Sequence, residues 1–363
     1  RCGILLVTKL KKHPQFRRFA RLAEQQFRED MYHAITLPGG AGQECPGYVA
    51  YAMHTWKPLA AICREHLGFD PTRWPRYRAG ASFLVHLSQP IGGGKRRCHP
   101  GGDTHPPGPG VFELAGEMGV REDVRRFTTE ELPGFGCVFR NNPGTDRETY
   151  LALKSGPNRG HFHGDQLSFH YCADAKPVAI DHMCSYGPRA GQEHMHNRVA
   201  FHTDRLPWAN MDGYERLIAF ETSKDVDVVV GQVASERLRA TTEYPPEEWD
   251  TYLPEVRFEV PLRYRRTIVC VKNRGRDYFV IRDQHAGPPV RATYCLHVLS
   301  NRCQRKDDRY EFGNLTVACV KPDAYTFARH DWEFEKKDRD GKLILAEHTQ
   351  GIRLTTEGEQ GEF

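Results

Sequence analysis

From Leu10 to about Phe127, apolar residues recur at spacings of three and four. Phe16, Phe19, Ala20, Ala23 and Phe27 form one such stripe, with Pro14 where a helix start tolerates it. Tyr48, Tyr51, Ala52, Thr55, Leu59, Ile62 and His66 form a second, and Tyr77, Ala81, Leu84 and Ser88 a third. A fourth helix is expected from Val111 to Phe127. Gly/Pro loops separate these stretches: Leu37-Pro38-Gly39-Gly40, Ile91-Gly92-Gly93-Gly94, and His99 to Pro109. Amphipathic helices joined in this way predict an α-helical bundle or toroid with functional loops on one rim.

After Leu132-Pro133-Gly134-Phe135 the period changes to two. The pattern predicts strands at Thr149–Lys154, Gln166–Cys172, Pro177–Asp181, Arg198–His202, Val226–Val233, Thr267–Val271, Asp277–Ile281, Thr293–Val298 and Leu315–Val320. Many short strands with polar turns read as an antiparallel sandwich. The boundary falls near residues 128–134, giving a helical part over 1–130 and a β part over 131–363. No internal repeat is evident.

The 363 residues are enough for two cores, and the charged fraction of 27% is ordinary for a folded chain. The net charge of +4 is too small to argue for nucleic acid. Basic residues cluster locally at Lys95-Arg96-Arg97, Arg125-Arg126, and Arg263 with Arg265-Arg266, which suits anionic ligands. Eleven cysteines, scattered singly with no CxxC pair, argue against a zinc knuckle or a small disulfide scaffold. Buried free thiols are expected instead. No apolar run approaches a membrane span, and no signal peptide is visible in a chain that starts at Arg1 without an initiator Met.

The richest chemistry lies in Gly160-His161-Phe162-His163-Gly164-Asp165-Gln166-Leu167-Ser168-Phe169, followed by Val178-Ala179-Ile180-Asp181 and His196-Asn197. On an extended backbone, His161, His163 and Asp165 share one face. Imidazoles with a carboxylate suit zinc or a similar divalent ion, or acid–base work. A cupin-type iron site would use the same His-x-His cue. A tight turn at Ala173–Lys176 puts Asp181 opposite Ser168 rather than beside His163, so spacing alone does not bring these groups together.

These stretches, with Lys176-Pro177 and Arg198-Val199, resemble the β-sandwich signature of the heparinase II/III-like polysaccharide lyases, which include heparin, heparan sulfate and alginate lyases. Tyr264-Arg265-Arg266-Thr267-Ile268-Val269, Asp277 to Asp283, and Thr293-Tyr294-Cys295-Leu296-His297 agree with it. So do Gly42-Gln43-Glu44-Cys45-Pro46-Gly47-Tyr48 and Pro100-Gly101-Gly102-Asp103-Thr104-His105 in the helical part. The resemblance implies an incomplete (α/α) toroid followed by an antiparallel β-sandwich, with an anionic polysaccharide between them and neither nucleic acid nor membrane as partner. It also implies β-elimination at a uronic acid and a periplasmic or secreted location, and leaves the oligomeric state open.

By the same resemblance, Tyr48 matches the catalytic tyrosine, His161 the catalytic histidine, and Tyr186 the second active-site tyrosine. Glu44 is placed to orient Tyr48, and Asp103 and His105 match a cleft-lining segment that binds substrate. His163, Asp181 and His196 match the ligands of a structural zinc. His194 is the rival to His196, and Asp165 is read as a supporting group. From pattern alone, Tyr48 would be a core tyrosine, and His170, His182 and His202 ordinary strand or loop residues. Members carry an Asn, or an Asn-His pair, upstream of the tyrosine. Residues 1–47 contain no Asn, so the chain reads as truncated at its N-terminus. Two other classes stay open: a carbohydrate-binding protein of the same shape without chemistry, and a cupin-like metal oxygenase.

Overall fold

The computed structural model describes residues 2–35, 39–42, 44–99, 101–102, 104, 110–156, 161, 163–182, 192–206, 209–211, 213–240, 255–273, 276–337 and 340–363. Five α-helices come first: α1 (Cys2–Lys9), α2 (Phe16–Ala34), α3 (Pro46–Ile62), α4 (Pro75–His86) and α5 (Gly110–Glu117). The three predicted from the clearest stripes are present, and α1 is an addition. In α2 the stripe buries Ala20, Ala23, Phe27 and Met31, while Glu24 and Arg28 pair on the outer side. Proline opens α3 and α4 at the first helical position, where its missing N–H costs no intrahelical bond. The second stripe runs past α3 into a π-helical turn, Cys63–Leu67, closed by Gly68 at φ 82°. The fourth predicted helix is shorter than its stripe: α5 stops at Glu117, and Val124–Arg126 form a separate 3₁₀ turn. Among the described residues α1 packs on α2, and α4 packs on α2, α3 and α5.

Thirteen strands build one large antiparallel sheet: β1 (Glu130–Leu132), β2 (Gly136–Asn141), β3 (Thr149–Lys154), β4 (Phe169–Ala173), β5 (Lys176–Ala179), β6 (Val199–His202), β7 (Ala209–Met211), β8 (Tyr214–Thr222), β9 (Val226–Ala240), β10 (Glu255–Val271), β11 (Tyr278–Leu299), β12 (Thr326–Lys337) and β13 (Leu343–Glu362). Its main path is β8-β9-β10-β11-β5-β4-β3-β2-β1. β13 adds to β11 and carries β12, β6 also pairs with β11, and β7 with β9. The sheet curls on itself.

Two predicted strands, Asp277–Ile281 and Thr293–Val298, are parts of the single 22-residue β11. Gly287-Pro288-Pro289 suggests a turn. The structure instead passes it as a bulge, with a register shift against β13 between Ala286 and Val290 and Gly287 at φ 140°.

Side chains of β2 and β3 alternate between two cores. Val138, Tyr150 and Ala152 join the helical residues Val49, Met53, Tyr77 and Leu84. Phe139, Leu151 and Leu153 face Val229, Ile268, Leu296 and Ile352 across the sheet. These strands are buried on both faces, which fixes where the helices sit against the β part. A third core gathers Leu167, Phe201, Val233, Leu262 and Tyr264.

Two of the three basic clusters are partly structural. Arg96 is bound by Glu148 and Ser88, and Arg266 by Asp283, so neither is open to a ligand. Arg96 and Arg266 supply internal ion pairs because each lies on the buried side of its segment. The nine cysteines whose side chains are described are free thiols, seven of them buried, in line with the composition.

Candidate functional site

The start of α3 and a loop of the β part meet at Tyr48 and His161. Their rings stack with centroids 3.9 Å apart and an interplanar angle of 19°. Neither is a core residue: Tyr48 is half-buried, and the His161 side chain is 33% exposed. Nothing fits between two rings at that distance, so a ligand meets their polar edges. Glu44 stands 3.9 Å from His161 Nε2 with its own side chain 46% exposed. It precedes the helix, which begins at Pro46, and faces the imidazole. The three residues the resemblance singled out at this end are thus together.

A glycine loop closes the other side. A Cβ on Gly102 would strike the His161 carbonyl oxygen and Cys45, and one on Gly101, at φ 60°, would meet Pro46. The loop therefore presses on His161 and on Cys45 and Pro46, which lead into the helix that carries Tyr48. Asp103 and His105 lie outside the described residues, and so does Tyr186.

The extended strand expected at 161–165 is not there. His161 has φ 61° and Leu167 φ 59°, and β4 starts only at Phe169. These left-handed positions turn the chain, so His161 meets Tyr48 while His163 and Asp165 are buried. Polar clamps hold the turned segment. Arg198 donates to the Gly164 carbonyl at 3.0 Å and to Gln166 Oε1 at 2.9 Å. Arg266 donates to the Leu167 carbonyl at 2.6 Å.

His163, Asp181 and His196 do come together. Ser168 Oγ donates to Asp181 Oδ2 at 3.0 Å, the opposition that the turn at Ala173–Lys176 predicts. His196 Nδ1 donates to Asp181 Oδ1, and the His163 and His196 rings are 5.3 Å apart. Burial works against the Asp181 anion, but His196 beside it holds the carboxyl well below its usual range. Burial would lower His196, yet Asp181 raises it. Burial and the neighbouring His196 push His163 down to about 3, so it is a neutral imidazole. Burial raises Asp165 to about 6.

Among the described residues, no three or more His, Cys, Asp or Glu are arranged as a ready ligand set. Each Asp181 oxygen is already engaged, one by Ser168 and one by His196. The buried Nε2 of His196, however, has no hydrogen-bond partner. A carboxylate on Nδ1 with Nε2 unpartnered is the disposition of a histidine whose other nitrogen serves a metal. The donor set therefore fits a divalent ion held by His196 and His163, with Asp181 fixing the His196 tautomer.

Two residues here take roles that the sequence does not assign them. His99 donates from Nε2 to the Asp181 carbonyl at 2.9 Å and accepts the Gly101 N–H on Nδ1, tying the glycine loop to the buried histidines. Its place just before Pro100-Gly101-Gly102 was the available hint. Asn197 donates to the carbonyls of Phe169 and Ile180, both at 2.9 Å, and accepts the His297 N–H at 2.7 Å. It locks β4, the end of β5 and β11 around the site.

No protein-family model matches the chain, and no curated protein sequence does. A solved structure of a heparinase III matches 99% of this chain with a TM-score of 0.71 at 13% identity. The chain spans 57% of that structure's length. The fold is thus distantly heparinase-like.

Proposed function

We propose that this protein is a polysaccharide lyase that cleaves an anionic, uronate-containing polymer by β-elimination, with Tyr48 and His161 as its acid–base centre. The stack of Tyr48 on His161 carries the reading. Pattern alone would make Tyr48 a core residue, yet it is half-buried beside an accessible imidazole and carboxylate.

The reaction removes the proton at C5 of the uronate and expels the oxygen at C4, while the carboxylate carries the developing charge. It needs a base, an acid and a group that stabilises the charge. Tyr48 as phenolate takes the C5 proton, and the resulting phenol returns a proton to the leaving oxygen. His161 donates toward the carboxylate, or acts as base on the opposite epimer, and Glu44 holds the exposed edge of its ring. Asp103, His105 and Tyr186 are assigned here to substrate contact and to a second phenol. A divalent ion at His163 and His196, with Asp181 behind it, would pin the turned segment under His161 and supply no step of the reaction. Alginate and heparan-type polymers are the leading substrates.

The test is ultraviolet absorbance of the full-length protein with alginates, heparan sulfate, chondroitin, hyaluronan and glucuronan. β-Elimination leaves a double bond conjugated to the carboxylate, which hydrolysis cannot produce. A rise on one polymer establishes the lyase and its substrate class. No rise on any polymer overturns the reading in favour of carbohydrate binding without chemistry.

A further inference from the structure

The outward face of the large sheet carries a second cluster that this chemistry does not use. Along β10, Arg263 and Arg265 point to solvent, whereas Leu262, Tyr264 and Arg266 point inward and are buried. Strand register sets Gln232 of β9, Arg265 of β10, Gln284 of β11 and Glu362 of β13 in one cross-strand row. The adjoining row on that face is Ala234, Arg263, Ala286 and Gln360. Strands stand about 4.8 Å apart, so the two guanidiniums and the amides of Gln232 and Gln284 beside Arg265 lie within reach of one small charged group. They line a cleft of about 460 Å³, whose wall Ala286 and Gly361 keep low.

The charge balance in this cleft is unusual. Glu362 is held by Arg282 through bonds of 2.9 and 2.8 Å, which keeps its carboxyl below the usual range. Arg265 donates to the neutral Gln232 Oε1 at 3.1 Å. Among the described residues no carboxylate pairs with Arg263 or Arg265. The inward neighbour Arg266 is fully paired with Asp283. Two neighbouring guanidiniums that no described carboxylate pairs with, flanked by amides that both donate and accept, suit a carboxylate or sulfate set among sugar hydroxyls. Of the lining residues only His285 carries a ring, and it is buried, so the cleft offers no exposed platform for stacking nucleic-acid bases.

We propose that this cleft is a second, non-catalytic binding site for the carboxylate or sulfate groups of an anionic glycan chain. It lies across the sheet from the candidate centre: Arg266, on the inner face, donates to the Leu167 and Asn197 carbonyls beneath that centre. The identity of the glycan as the polymer being cleaved rests on the lyase reading; the cleft itself does not. Such a site holds a long chain to the protein while a distant stretch of it is processed, and contributes nothing on short fragments.

The test uses the full-length protein carrying Tyr48→Phe, so that the polymer persists, with and without Arg263→Gln and Arg265→Gln. Affinity for alginate, which bears only carboxylates, and for heparan sulfate is measured at low and high salt. The double variant is expected to bind polymer about tenfold more weakly with a shallower salt dependence. Loss on both polymers identifies carboxylate as sufficient; loss on heparan sulfate alone identifies sulfate. With Tyr48 restored, turnover of short oligosaccharides stays unchanged while turnover of dilute polymer falls. Equal affinity of variant and parent for both polymers overturns the proposal. If no polymer yields unsaturated product yet the arginines still govern binding, the lyase reading fails and the cleft stands. If product forms and affinity is unmoved, the cleft alone fails.

Discussion

The imidazole of His161 lies flat on the phenol of Tyr48, 3.9 Å from centroid to centroid, although one ring belongs to a helix and the other to a loop of the β part. Removing the phenol oxygen leaves that stack intact and takes away the proton carrier. Tyr48→Phe should therefore lower turnover by about 10²–10⁴-fold with no change in Tm. Initial rates by ultraviolet absorbance, set beside a thermal melt, check both halves. Full rate in the variant would remove Tyr48 from the mechanism.

Gly102 sits where any side chain would run into the His161 carbonyl and Cys45. Gly102→Ala should push the loop off the ring pair, cutting turnover at least tenfold while costing about 1–3 kcal/mol of stability. Gly116, with open space around its missing Cβ, is the control, and Gly116→Ala should be neutral or mildly stabilising.

Metal removal separates the two roles assigned to the histidines. Because binding of an ion is linked to folding, a chelator should lower the Tm of the wild type. His163→Ala should already be destabilised and should not respond to chelator. A wild-type melt indifferent to chelator and to added zinc would leave the buried trio as a hydrogen-bonded cluster only.

Arg265 and Arg266 are adjacent in sequence and opposite in role. Arg266 is wholly buried, bonded to Asp283 at 2.7 and 2.8 Å and to two backbone carbonyls. Arg266→Met should cost about 3–5 kcal/mol, since it strands a buried carboxylate. Arg265→Met should fall within about 0.5 kcal/mol of wild type. Urea midpoints of the two variants decide this directly.

Acid should destabilise the protein through buried neutral histidines. Burial, reinforced by Arg291 and Arg353, holds His202 at about 4, and burial with Arg353 holds His330 at about 4. Unfolded, each returns to about 6.5. Between these values the unfolded chain binds protons that the native state refuses, so stability is complete above about pH 6.5 and falls as the pH drops toward 4. Each group should cost about 1–2 kcal/mol by pH 5. His202→Gln, which keeps a donor for Thr293, should show a smaller fall in Tm between pH 7.5 and pH 5.

The sequence was most legible where one physical signal dominated. The three-and-four stripes of α2, α3 and α4 and the alternating burial of β9 follow from burial of a single face. Legibility failed where backbone conformation overrode pattern. His161, His163 and Asp165 alternate as a strand would, but left-handed turns at His161 and Leu167 send the first to the cleft and bury the others. Gly287-Pro288-Pro289 carries the composition of a turn, yet pairing on both sides of β11 carries the strand through it. Arg266 looks like Arg263 and Arg265 in sequence; only the sheet's parity shows that it faces Asp283. The meeting of Glu44, Tyr48 and His161 was reachable through family likeness and not through spacing, because it depends on how helices and sheet dock.

β11 has a consequence of another kind. It pairs with β10, β13, β6 and β5, its amide at His297 anchors Asn197, and its outward residues Gln284 and Ala286 line the arginine cleft. Like a reading frame, its register is all or nothing: a slip of one residue would turn Gln284 inward and Asp283 outward, stranding Arg266 as it dismantled the cleft. Errors in assembly at this strand therefore cannot yield a protein that binds but does not fold, or folds but does not bind. The two properties are inherited together from one alignment.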